Sequence, residues 1–149
     1  MSSTMKVILL VEDNPDDLQL TLEAFKRARV LNPIAVVRDG IEALDFLFAR
    51  GAYSERAGAP LPVVVLDLHL PKLDGLGVLK VIRTDARLQG LPVLILSSSK
   101  EQEDLISGHS LGISTFIRKP VDFAEFVAAI KTLGTYWLMI DESPLESLP

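Results

Sequence analysis

Three short apolar runs, each closed by a polar residue, constrain this chain more than any other feature. They are Val7-Ile8-Leu9-Leu10-Val11 before Glu12-Asp13, Val63-Val64-Val65-Leu66 before Asp67, and Val93-Leu94-Ile95-Leu96 before Ser97. Such runs are short for a buried helix, and they lack the polar alternation of a strand with one wet face. Rich in Val, Ile and Leu along their whole length, they fit strands of a parallel sheet covered on both sides. Two weaker runs, 34–37 and 114–117, bring the set to five.

Between the runs the period changes to that of a helix. Asn14 suits an N-cap with Pro15 at the first helical position; Asp16 and Asp17 then read as partners of the helix dipole and nothing more. Leu18, Leu22 and Phe25 fall on one face, and Asn32-Pro33 breaks this helix. Ile41, Leu44, Leu47 and Phe48 mark a second helix, ended near Gly51. Leu76, Leu79 and Ile82 mark a third, after Pro71 and Gly75. Residues 100–111 predict a weaker fourth helix, with Leu105 and Ile106 as its main apolar residues and Gly108 inside it. The last begins at Asp122, with Glu125 three residues on in a capping-box-like pair, and its buried stripe is Phe123, Phe126, Val127 and Ile130. Residues 51–62, with two glycines and two prolines, are expected to form a long mobile loop. The fold class is α/β, a doubly wound five-stranded parallel sheet with right-handed crossovers.

A chain of 149 residues corresponds to one domain. The absence of cysteine excludes disulfide scaffolds, thiolate zinc sites, iron–sulfur clusters and Cys nucleophiles. Two histidines, His69 and His109, are too few for a multi-His metal site, and both read as surface residues. A net charge of −5 argues against general nucleic-acid binding. No run approaches the length of a membrane span, and the first apolar run is too short for a secretory signal, so a soluble cytoplasmic protein is expected.

In a doubly wound sheet the ligand crevice lies beyond the carboxyl ends of the strands. Glu12, Asp13, Asp67, Ser97 and Lys119 all fall there. Taken singly, the acidic pair could extend a cap, Ser97 could cap the next helix, and Lys119 could be a solvated surface residue. Taken together they are a chemical set. Two like charges 4 Å apart cost roughly 4 kcal/mol at an effective dielectric near 20, so gathered carboxylates call for a cation. Hard oxygen ligands favour Mg²⁺, which keeps waters and accepts phosphate oxygens. With Lys119 and the Ser97 hydroxyl beside it, Asp67 is equipped to attack a phosphoryl group.

These residues resemble the receiver domain of two-component response regulators. The resemblance rests on Glu12-Asp13, on Asp67 with Leu70-Pro71-Lys72-Leu73-Asp74-Gly75 behind it, on Ser97, and on Lys119-Pro120, and it spans 6–132. It implies a (βα)5 flavodoxin-like fold in which a sensor histidine kinase phosphorylates Asp67. It implies that Glu12, Asp13, Asp67 and the backbone carbonyl of His69 hold Mg²⁺, that Lys119 and Ser97 bind the phosphoryl group, and that Phe116 is the aromatic switch residue. It further implies a cis bond before Pro120 and a two-state change of the face formed by the fourth helix, the fifth strand and the last helix. Such a protein is a signalling switch and not a turnover enzyme. An aspartyl-nucleophile phosphohydrolase usually has a second Asp two residues after the nucleophile, where this chain has His69, and carries a cap domain. A phosphate shuttle or sink without its own target is the other alternative.

Residues 1–5 read as a lead and 133–149 as a C-terminal extension, too short for a DNA-binding output domain. The extension holds Tyr136, Trp137, Leu138 and Ile140, residues suited to an interface, and a homodimer built partly by it is expected. With the 51–62 segment, this tail resembles that of single-domain regulators that pair with phytochrome-type sensor kinases.

Overall fold

Each apolar run is a strand in the computed structural model, which describes residues 6–97, 100, 103–104, 115–119 and 122–134. The strands are β1 (Ile8–Val11), β2 (Ile34–Val37), β3 (Val63–Asp67), β4 (Val93–Ser97) and β5 (Thr115–Arg118). All neighbours pair in parallel, in the order β2-β1-β3-β4-β5. Every residue of β1, β3 and β4 is buried, as continuous apolar strands require.

The two-residue period of a strand divides the core in two. Leu9, Val11, Val64, Leu66 and Ile95 face one layer, built with α2 (Gly40–Phe48) and α3 (Gly75–Thr84). Ile8, Leu10, Val63, Val65, Leu94 and Leu96 face the other, built with α1 (Pro15–Arg27) and α4 (Phe123–Gly134). In that second layer Phe25 of α1 meets Phe126 of α4 edge-on, ring centres 5.1 Å apart. The strand order reverses between β1 and β3, so the crevice opens where Glu12-Asp13 and Asp67 leave the sheet.

The helix starts form as their side chains dictate. Asn14 Oδ1 accepts from the Asp16 and Asp17 amides, and Asp122 Oδ2 accepts from the Glu125 amide. The stripe of α1 is displaced: Thr21, Ala24 and Phe25 are buried, while Leu18 and Leu22 pack at the margin. In α2, Ile41 is 44% exposed and Ala43, Leu44, Phe46 and Leu47 face the core. Phe46 is buried in the core under the next segment, while Phe48 is half-buried at its margin.

That next segment corrects the expectation of a mobile loop. Gly51–Arg56 is a 3-10 helix anchored on α2. The Tyr53 hydroxyl donates to Glu42 at 2.5 Å, its ring lies 5.1 Å from that of Phe46, and the Arg56 guanidinium sits 3.7 Å over the Phe46 ring. β5 runs one residue past its expected end, to Arg118, and its expected first residue, Ser114, lies outside the described residues. Most of the predicted fourth helix, including Leu105, Ile106, Gly108 and His109, lies outside the described residues, but Lys100, Glu103 and Asp104 are helical.

Two glycines let the β3–α3 connection sit tightly. A Cβ on Gly40 would lie 1.9 Å from the Leu73 carbonyl oxygen, and one on Gly75 would lie 2.4 Å from the Asp67 carbonyl oxygen. Neither position has room for any side chain, and the second sits directly behind Asp67.

Candidate functional site

Strand pairing carries Lys119 into the crevice. Its amide donates to the Ser97 carbonyl at 2.7 Å, continuing the β4–β5 ladder one residue past Arg118. The ammonium reaches three carboxylates, lying 2.7 Å from Asp17 Oδ2, 3.1 Å from Glu12 Oε1 and 3.2 Å from Asp67 Oδ2. The Lys119 side chain is 13% exposed. Asp17 is therefore more than a dipole residue: the Asn14 cap and the first turn of α1 bring it over the ends of β1 and β3 and onto the lysine.

Glu12 is fully buried, and its Oε2 accepts from the Asn14 amide at 3.2 Å. Its Oε1 faces the lysine charge but accepts no hydrogen bond. Burial, followed by the neighbouring Asp67, pushes the Glu12 carboxyl up to about 7, against the pull of Lys119. Burial would lower the Lys119 ammonium, but the hydrogen bond to Asp17 and the charges of Asp67 and Glu12 outweigh it and raise it. Asp67 is buried, and its Oδ1 accepts from the His69 amide at 3.3 Å. Asp13 and His69 are both exposed at the rim.

Ser97 is also fully buried. Its hydroxyl donates to Glu103 Oε2 at 2.6 Å, and Arg118 Nε donates to the same oxygen at 3.0 Å. The bonds from Arg118 and Ser97 hold the Glu103 carboxyl below the usual carboxylate range. Phe116 is half-buried against the α2–α3 core. Pro120 and the interface candidates Tyr136, Trp137, Leu138 and Ile140 lie outside the described residues.

The strand ends thus bring together Glu12, Asp67 and Lys119 as the sequence implied, and add Asp17 and Glu103, which it did not. Among the described residues no three Asp, Glu or His side chains form a cage for a metal on their own. Mg²⁺ asks for less, since it is commonly held by one or two carboxylates and completes its shell with water. The hard-oxygen donor set, with a buried Glu12 Oε1 that accepts no hydrogen bond, fits such an ion. Among the described residues no helix is long and apolar enough to cross a membrane.

The chain matches the response regulator receiver domain family over residues 8–131. It is 37% identical over 139 residues to the probable methanogenesis regulatory protein FilR2 of Methanothrix harundinacea (strain 6Ac), covering 93% of this chain and 87% of that protein. It is 33% identical to response regulator Rcp1 of Synechocystis sp., covering 92% of each. Among solved structures, the bacteriophytochrome response regulator RtBRR is similar with a TM-score of 0.85 and 44% identity, over 96% of this chain and 86% of that one. AtBRR, another bacteriophytochrome response regulator, gives 0.82 and 46%, over 94% and 100%. The Mn²⁺-bound form of Rcp1 gives 0.72 and 32%, over 93% and 99%.

Proposed function

The chain belongs to the response regulator receiver family, and we propose that it is a phosphorelay switch: Asp67 takes a phosphoryl group from a sensor histidine kinase of the phytochrome type. The observation that carries this reading is the half-buried Lys119 ammonium 3.2 Å from Asp67 Oδ2, at the point where the strand order reverses. The names of RtBRR and AtBRR support the phytochrome pairing.

A carboxylate oxygen of Asp67 attacks phosphorus of the kinase phosphohistidine. The O–P bond forms as the N–P bond breaks, and the imidazole keeps the bonding pair and is protonated from solvent. The product is an acyl phosphate, which water later cleaves to inorganic phosphate and the free carboxylate. Lys119 offsets charge on the transferring oxygens, and the Ser97 hydroxyl donates to one of them. Glu12, Asp13, Asp67 and the His69 carbonyl would hold Mg²⁺. When bound, that ion supplies positive charge beside the phosphoryl oxygens.

Phosphorylation adds about −1.5 to −2 charge and three strong acceptors. Ser97 and Phe116 pass this change to the surface formed by the segment after β4, by β5 and by α4. The protein acts in the cytoplasm on protein partners and not on nucleic acid, as a homodimer to which Tyr136, Trp137, Leu138 and Ile140 contribute. Light scattering tests the dimer: a chain ending at Leu133 that keeps the mass of the full chain would exclude the tail as its interface. Incubation with acetyl phosphate and Mg²⁺, followed by intact mass measurement, tests the acceptor. One added phosphoryl group is expected, and none for Asp67→Asn; a variant that still labels would move the acceptor elsewhere.

A further inference from the structure

Ser97 has a single hydroxyl proton to give. In this structure Glu103 Oε2 takes it at 2.6 Å, and that oxygen is held in turn by Arg118 Nε at 3.0 Å. The Ser97 hydroxyl is fully buried, the Glu103 side chain is 23% exposed and that of Arg118 is 47% exposed. A three-residue chain therefore runs from the crevice, through the segment after β4, to the open face of β5. It leaves no Ser97 proton for a phosphoryl oxygen.

Building on the phosphoacceptor reading above, we propose that Glu103 is a positioning residue that latches the Ser97 hydroxyl in the unphosphorylated protein. The hydroxyl can turn to a phosphoryl oxygen on Asp67 only by giving up a charge-assisted hydrogen bond, the stronger kind. The latch thus sets part of the cost of switching. Its release also frees Arg118, whose guanidinium already stands on the surface, so the chemistry at Asp67 is read out as a changed charge arrangement on the β5 face. A carboxylate beside an incoming anion adds repulsion, and the proposal separates from that effect by its dependence on Ser97.

Beryllium trifluoride with Mg²⁺, a phosphoryl mimic, titrated by calorimetry into the full chain, tests the latch. Glu103→Ala should bind it about tenfold more tightly than the wild type, the equivalent of about 1.4 kcal/mol. Glu103→Gln keeps an acceptor oxygen for Ser97 and loses only the charge, so its gain should be clearly smaller. Ser97→Ala should bind more weakly than the wild type, and adding Glu103→Ala to it should bring only the small gain from lost repulsion, well short of tenfold. Equal gains for Ala and Gln, or a tenfold gain that survives in full in the Ser97→Ala background, would reduce Glu103 to a distant negative charge and overturn the latch. Wild-type binding with no gain in either Glu103 variant overturns it as well. A wild-type chain that binds no beryllium trifluoride overturns the phosphoacceptor reading itself, and the latch with it.

Discussion

Lys119 is the residue on which most of the charge in the crevice depends. It is the ammonium that faces two buried carboxylates, Glu12 and Asp67, and a third, Asp17, that is 27% exposed. Removing one partner of a buried pair leaves an uncompensated charge in low dielectric. Lys119→Ala should therefore destabilise the protein by about 3 kcal/mol. Asp17→Ala removes a partner nearer to water and should cost about 1 kcal/mol. Urea melts of both variants at neutral pH check the ranking, and equal losses would mean that Glu12 and Asp67 do not depend on the lysine. Asp67, Glu12 and Lys119 were legible in the sequence because each sits at the end of an apolar run. Asp17 and Glu103 were not. Asp17 lies 102 residues from Lys119, and Glu103 lies six residues beyond Ser97. Both contacts depend on where a helix start or a loop settles, which no periodicity encodes.

At the scale of elements, the strands could be read and the helix faces only in part. β1, β3 and β4 announce themselves because burial on both faces leaves no polar position. α2 did not, since Ile41, Phe46 and Phe48 are all apolar and the packing of Tyr53 on Phe46 decides which of them turns inward. Tyr53 also gives the 3-10 segment a pH dependence. Its hydrogen bond to Glu42, with burial and the Glu42 charge behind it, pushes the phenol up to about 12. In that range the unfolded chain loses the proton first, so stability should fall as pH rises from about 10 toward 12. Tyr53→Phe should flatten this fall and cost about 1 kcal/mol below it, as read by urea melts from pH 9 to 11.5. The start of α3 is as demanding as the anchor of α2. A Cβ on Gly75 would press on the Asp67 carbonyl oxygen, which is backbone and cannot step aside. Gly75→Ala should cost about 2–3 kcal/mol and slow labelling of Asp67, because the β3–α3 connection must shift to admit a methyl group. A variant with wild-type stability would show that this connection is looser than its geometry.

Across the whole molecule the crevice is where separate parts of the chain meet: β1 and α1 from the first quarter, β3 from the middle, and Lys119 from beyond β5. An ion held there joins segments that only the folded state brings together, so its binding adds to the stability of the fold as a whole. At an Mg²⁺ concentration a hundred times its dissociation constant the gain is about 2.7 kcal/mol. For a chain of this length that corresponds to roughly 8 °C in the melting temperature. The gain should grow with the logarithm of Mg²⁺ concentration and vanish in Asp13→Ala, whose exposed carboxylate can be removed without opening the core. Ca²⁺, larger and content with irregular shells, should give a smaller shift at equal concentration if the crevice is cut for a compact octahedral ion. Thermal melts across an Mg²⁺ series, with Ca²⁺ as the comparison, decide between a cation site shared by β1 and β3 and a crevice neutralised by Lys119 alone. In the second case wild type and Asp13→Ala melt together at every concentration.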